Sequence, residues 1–231
     1  MISIQSLQKS YKGVTVLNIE QLFIGQNESF GLVGNNGAGK TTLFRTILDL
    51  IRPTAGKVEI NGKNVQANDE WKSYLGSFLD EGFLIPYLTP DEYFRFVGKL
   101  HNYSDADMKS FYEKFEELFN DEIIGKDKYI SDLSKGNLKK VGIAAAFMGN
   151  PQIIMLDEPF ENLDPTSQIR VKDLLLTERK QRGITYLISS HDLNHVTEIC
   201  ERIVILEKGQ VKQDLKGSQN MLATLEEYFK A

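Results

Sequence analysis

Gly34-Asn35-Asn36-Gly37-Ala38-Gly39-Lys40-Thr41-Thr42 is the stretch on which the reading of this chain turns. It meets the pattern G-x-x-x-x-G-K-[ST] in full, between a strand-like apolar run, Ser29 to Val33, and a helix-like run, Leu43 to Leu50. Glycines open backbone conformations closed to other residues, so successive N–H groups can turn inward onto phosphate oxygens. The following helix adds its partly positive N-terminus at the same point. On this reading Lys40 reaches the β- and γ-phosphates of a nucleotide, and the Thr41 hydroxyl takes one position on Mg²⁺.

A second stretch supplies the carboxylates such a site needs. Ile153-Ile154-Met155-Leu156 reads as a buried strand, and Asp157-Glu158-Pro159 follows at its C-terminal end, where open α/β sheets bind ligands. Asp157 is the expected partner of Mg²⁺. Glu158 is expected to orient or deprotonate the attacking water.

Working outward, short β-branched or apolar runs alternate with helical patterns, which predicts an α/β sheet. Further strands are expected at Ile2 to Leu7, Lys57 to Ile60, Gly76 to Leu79, Ile184 to Ser189, Arg202 to Leu206 and Gln210 to Leu215, with Asn61-Gly62 and Lys208-Gly209 as turns. Between Pro90 and Gly149 the pattern becomes helical. Helices are expected at Glu92 to Leu100, Asp105 to Phe119 and Lys135 to Phe147, with Asp105 and Ser134 as N-caps, and a last one over Asn220 to Phe229.

With 231 residues, 41% hydrophobic and 26% charged, the composition is globular. A net charge of −5 argues against general nucleic-acid binding, so no direct nucleic-acid partner is expected. Cys200 is the single cysteine, which excludes an internal disulfide and suits a reducing compartment. No export signal is read at Met1 to Gln5, and no apolar run nears the roughly 18 to 20 residues that cross a bilayer.

Leu133-Ser134-Lys135-Gly136-Asn137, Asn162-Leu163-Asp164-Pro165, His191 and Tyr11 complete a series around the two motifs. In this order the chain resembles the nucleotide-binding domain of an ABC transporter over nearly its whole length. The resemblance implies a single domain, residues 1–231, of P-loop NTPase (RecA-like) core with a β subdomain and an inserted helical subdomain. The catalytic core would be 1–79 and 151–231, and the insert about 80–150. It implies Tyr11 stacked on adenine, Ser134 and Gly136 of the signature closing on nucleotide held by another subunit, and His191 as the switch histidine on the γ-phosphate. ATP and Mg²⁺ are the implied cofactors. A second nucleotide-binding domain, identical or homologous, and a separate transmembrane permease are the implied partners, placing the chain on the inner face of the cell membrane.

The chain departs from the family pattern in three places. Asp80 stands where glutamine is common, which makes it an expected member of the metal or water network; Lys135 and Asn137 replace glycine and glutamine in the signature; Glu161-Asn162 replaces small residues before Leu163. The LSKG form resembles exporters with a separate permease chain. The competing reading is a soluble ABC-type ATPase acting on ribosomes or DNA, and the coiled coil, basic arm or second nucleotide domain usual there is not seen. Phe83, Tyr87, Tyr93, Phe94, Phe96 and Tyr103 crowd one region. They are read either as packing for the helical insert or, in part, as the lining of a groove for a permease helix.

Overall fold

The computed structural model describes residues 1–217 and 220–230. In chain order its strands are β1 (Ile2–Tyr11), β2 (Val14–Ile24), β3 (Ser29–Val33), β4 (Ala55–Ile60), β5 (Lys63–Asn64), β6 (Leu75–Phe78), β7 (Ile153–Asp157), β8 (Thr185–Ser190), β9 (Arg202–Glu207) and β10 (Gln210–Lys216). The helices are α1 (Lys40–Ile47), α2 (Pro90–Leu100), α3 (Asp105–Phe119), α4 (Lys135–Ala146), α5 (Pro165–Arg182), α6 (Leu193–Ile199) and α7 (Met221–Lys230).

The central sheet has the order β10-β9-β3-β8-β7-β6, parallel except for its β9–β10 hairpin. β7 lies inside it, and its residues are buried on both faces: Ile153 and Met155 pack toward α1 and a second sheet, Ile154 and Leu156 toward the helices. That explains a strand written as an unbroken apolar run. The second sheet is antiparallel, β2-β1-β4-β5, and half of it faces solvent. Helices α2 to α4 follow β6 and precede β7 in the chain, as the switch to a helical pattern anticipates. Phe94, Phe111, Phe115 and Phe119 stack among themselves and against Phe147 of α4's last turn.

α4 comes unusually close to the sheet. A Cβ on Gly76 would collide with the Ala146 carbonyl, and one on Gly142 with the Phe78 ring, so these two glycines let helix and strand meet.

Several boundaries differ from those the sequence predicts. α1 starts at Lys40 rather than Leu43, because Gly39 takes a φ of 108° and turns the chain directly into the helix. α2 starts at Pro90, with Thr89 and Glu92 forming a capping box. Ser104, not Asp105, caps α3; its hydroxyl accepts from the Asp107 amide, and Asp105 sits in the first turn. β2, α5 and α6 were not anticipated. β2 mixes buried Leu17, Ile19, Leu22 and Ile24 with polar residues out of strict alternation, and α5 ends in the charged run Glu178 to Arg182.

Candidate nucleotide-binding site

The loop between β3 and α1 is gripped from both sides. Gly209, in the β9–β10 turn, donates to the Ala38 carbonyl at 2.8 Å, and a side chain on Gly34 would strike the Leu206 carbonyl. β2 passes so near that a Cβ on Gly39 would lie 3.0 Å from the Val16 carbonyl. Gly34 is thus required by packing, and Gly39, with its φ of 108°, by packing and conformation alike. At the end of the loop α1 begins without a side-chain cap and without an acidic residue in its first turn, so its amide groups remain available to an anion.

Lys40 is 6% exposed. Its Nζ donates to the Gly34 carbonyl at 2.7 Å and lies 3.3 Å from Glu158 Oε1. One residue on, the Thr41 hydroxyl donates to Asp157 Oδ2 at 2.6 Å. Asp157 is also bonded by the Ser189 hydroxyl. Burial pushes the Asp157 carboxyl above the usual carboxylate range, opposed by its hydrogen bonds to Ser189 and Thr41. A hydroxyl and a carboxylate, both hard oxygen donors, adjoining at the mouth of a phosphate loop form a donor set that fits Mg²⁺.

Glu158 follows in a left-handed conformation, φ 47°, which non-glycine residues adopt at a cost of about 1–2 kcal/mol. Four groups hold it there. Its amide donates to the Ser189 carbonyl at 3.2 Å and to the Ser189 hydroxyl at 3.1 Å. Its carbonyl accepts from Lys139 at 3.1 Å. One carboxylate oxygen faces Lys40, and the other accepts from the His191 amide at 3.2 Å and lies 3.0 Å from His191 Nδ1. Such strain, over-determined by its surroundings, is characteristic of functional sites.

The structure therefore gathers Lys40, Thr41, Asp157, Glu158 and His191 around the loop Gly34 to Thr42. Other expected residues stand elsewhere. Ser134 caps α4, its Oγ accepting from the Asn137 amide at 3.2 Å, and Gly136 packs under the Asn162 carbonyl and Leu163; neither is bonded to the loop that holds Lys40. Tyr11 closes β1 opposite Val14, half exposed, with the Lys9 ammonium 4.7 Å above its ring. Asp80 has other partners than the expected metal network: its Oδ2 pairs with Arg45 at 3.1 Å and its Oδ1 caps the Gly82 amide at 2.9 Å. The His195 ring centre lies 4.6 Å from that of Phe160, and burial holds its imidazole below the usual histidine range.

Sequence reasoning missed Ser189 and Lys139. Ser189 had a signal, since two serines, 189 and 190, end an otherwise apolar buried strand. Lys139 had none: a lysine in a helix reads as a solvated side chain, yet this one is 3% exposed.

A family model described as ABC transporter matches residues 17–161. The chain belongs to that family. Among its relatives, an uncharacterized ABC transporter ATP-binding protein of Nostoc is 34% identical over 86% of this chain, which spans only 61% of that relative's length. The lipopolysaccharide export system ATP-binding protein LptB of Haemophilus influenzae is 32% identical over 91% of this chain and 88% of its own. A methionine import ATP-binding protein of Bacillus cereus, 30% identical, covers 91% of this chain and is itself covered to 64%. In structure, the chain matches a dimeric ATP-binding cassette in a post-hydrolysis state bound to ADP and Pi, with a TM-score of 0.81 and 26% identity, over 94% of this chain and 99% of that one. The fold is that of an ABC ATPase cassette, a P-loop NTPase.

Proposed function

We propose that this chain binds ATP at the loop Gly34 to Thr42, hydrolyses it when a second cassette closes over the nucleotide, and drives a separate membrane permease. The observation that carries the reading is the placement of Glu158: a strained carboxylate held between Lys40 and His191, one residue beyond an Asp157 already bonded to Thr41.

The geometry and the family resemblance support the following roles. The loop amides, the start of α1 and Lys40 bind the phosphates, and Tyr11 stacks on the base. Thr41 and Asp157 would hold Mg²⁺, which would supply neutralisation of phosphate charge. Glu158 orients a water and accepts its proton, while His191 fixes the carboxylate and contacts the γ-phosphate. Ser134 and Gly136 open a helix whose first turn carries no acidic residue; standing apart from Lys40 in one chain, they serve the nucleotide of the opposite cassette, a copy of this chain or a homologue. Residues 80–150 act as the helical subdomain, and 1–79 with 151–231 as the catalytic core.

Among the described residues no helix is long and apolar enough to cross a membrane. We assign the path to a separate partner, and the chain to the inner face of the membrane, on the family resemblance. Phe83 is half exposed and, with Leu50, Trp71 and Leu79, lines a groove of about 280 Å³ that suits a short apolar helix of the permease. Phe94, by contrast, is wholly buried, so the aromatic crowd divides between packing and surface. Export is the direction we assign, on the LSKG form of the signature and the similarity to LptB.

Sizing of the Glu158→Gln chain by light scattering tests closure. With MgATP its mass is expected to double from 26.2 kDa, and without nucleotide to stay there. A chain monomeric at saturating MgATP refutes closure by a second copy of itself. Affinity capture from the native membrane in detergent tests the partner: a multi-span protein is expected, and ribosomal subunits or DNA would favour the competing soluble ATPase.

A further inference from the structure

We infer that Lys139 is a positioning residue for the catalytic carboxylate, holding the backbone of Glu158 in its strained conformation. The inference rests on the hydrolytic reading above and adds to it a residue and a path.

Lys139 lies just over one turn into α4 and is 3% exposed. A buried ammonium is costly unless its charge is met and its protons are bonded. Three groups meet this one. Its Nζ donates to the Glu158 carbonyl at 3.1 Å, stands 3.6 Å from Glu81 Oε1, and lies 5.5 Å from the centre of the Phe78 ring. The chain thus uses a desolvated charge to fix a single carbonyl, that of the one site residue with both a left-handed φ and a reactive carboxylate.

Removing that bond frees one side of the Glu158 peptide. Ser189 would still hold the amide, but φ would no longer be over-determined, and relaxation out of the left-handed region would swing the carboxylate away from Lys40 and His191. Lys139 makes no bond to the nucleotide-binding groups, and Lys40 keeps its bond to the Gly34 carbonyl and Thr41 its bond to Asp157. Turnover should therefore suffer and binding should not.

Glu81 extends the path. It begins the short turn Glu81–Phe83, and Phe83 at its other end lines the groove assigned above to the permease. Displacing this turn would remove the countercharge of Lys139 and so reach Glu158 through two contacts, Glu81 to Lys139 and Lys139 to the Glu158 carbonyl.

Steady-state phosphate release by the full chain, with Glu158→Gln as the inactive reference and melting temperature recorded for each variant, tests this. Lys139→Met should lower kcat about tenfold with KM for MgATP within about twofold of parental, the loss of one charged hydrogen bond in positioning. Lys139→Arg, which keeps donor and charge, should recover most of it. Should Lys139→Met fail to fold, Glu81→Gln is the reading, with kcat expected to fall about threefold at unchanged KM. Parental kcat in a folded Lys139→Met chain, or in Glu81→Gln where that is the variant read, overturns the inference alone; so does a Lys139→Met loss confined to KM. Parental release no faster than that of Glu158→Gln overturns the hydrolytic reading and this inference with it.

Discussion

The N-termini of α1 and α4 differ from those of α2 and α3 in a way that separates binding from structure. α2 and α3 open with complete capping boxes, Thr89 with Glu92 and Ser104 with Asp107, and each carries two acidic residues in its first turn. Their free amides and positive dipole ends are satisfied from within. α1 opens on a glycine with no side-chain cap, and α4 on a neutral serine; neither has an acidic residue in its first turn. α5 and α6 begin on Asp164 and Asp192. Of the helices α1 to α6, then, only the two assigned to phosphates have no acidic residue of their own at the N-cap or in the first turn. A chain that could have capped these helices as it capped the others has withheld the acid where an anion is to bind.

Adding the missing acid is the direct way to break this contrast. Thr42→Glu would give α1 the first-turn carboxylate of α2, a few ångströms from the bound phosphates, and should weaken equilibrium binding of MgATP about a hundredfold. Asn137→Glu would complete a capping box on α4 with Ser134. It should stabilise the isolated chain by about 0.5 kcal/mol in chemical denaturation yet slow ATP turnover about tenfold, because the acid would face the opposite cassette's phosphates. A rise in stability accompanied by parental turnover would detach α4 from the nucleotide. The smallest effect is expected where a structural cap is removed: Thr89→Ala should cost about 1 kcal/mol in denaturation and leave nucleotide affinity unchanged.

How far the sequence could be read follows the same division. The phosphate loop, Asp157 and Glu158 were legible because their chemistry fixes residue type and spacing, and because β3 and β7, buried on both faces, are written as plain apolar runs. β2 and α5 were not, since each spends part of its length on solvent and its apolar residues follow no single period. The contacts of Asp80 were hidden for a different reason. Its position in the chain resembles one that reaches the metal, but the partner it pairs with, Arg45, lies 35 residues earlier and on another element. Lys139 was invisible for the same cause: its burial and its bond to the Glu158 carbonyl exist only once α4 has packed onto β6, at the approach that Gly76 and Gly142 allow. Spacing in sequence reports the groups that touch substrate more readily than those that hold them in place.

The account stands most directly on Glu158. Binding of MgATP and release of phosphate, followed in the same sample of the Glu158→Gln chain beside the parent, should show saturable binding at parental affinity with turnover abolished. Phosphate released at the parental rate, or no saturable binding by either chain, would contradict it.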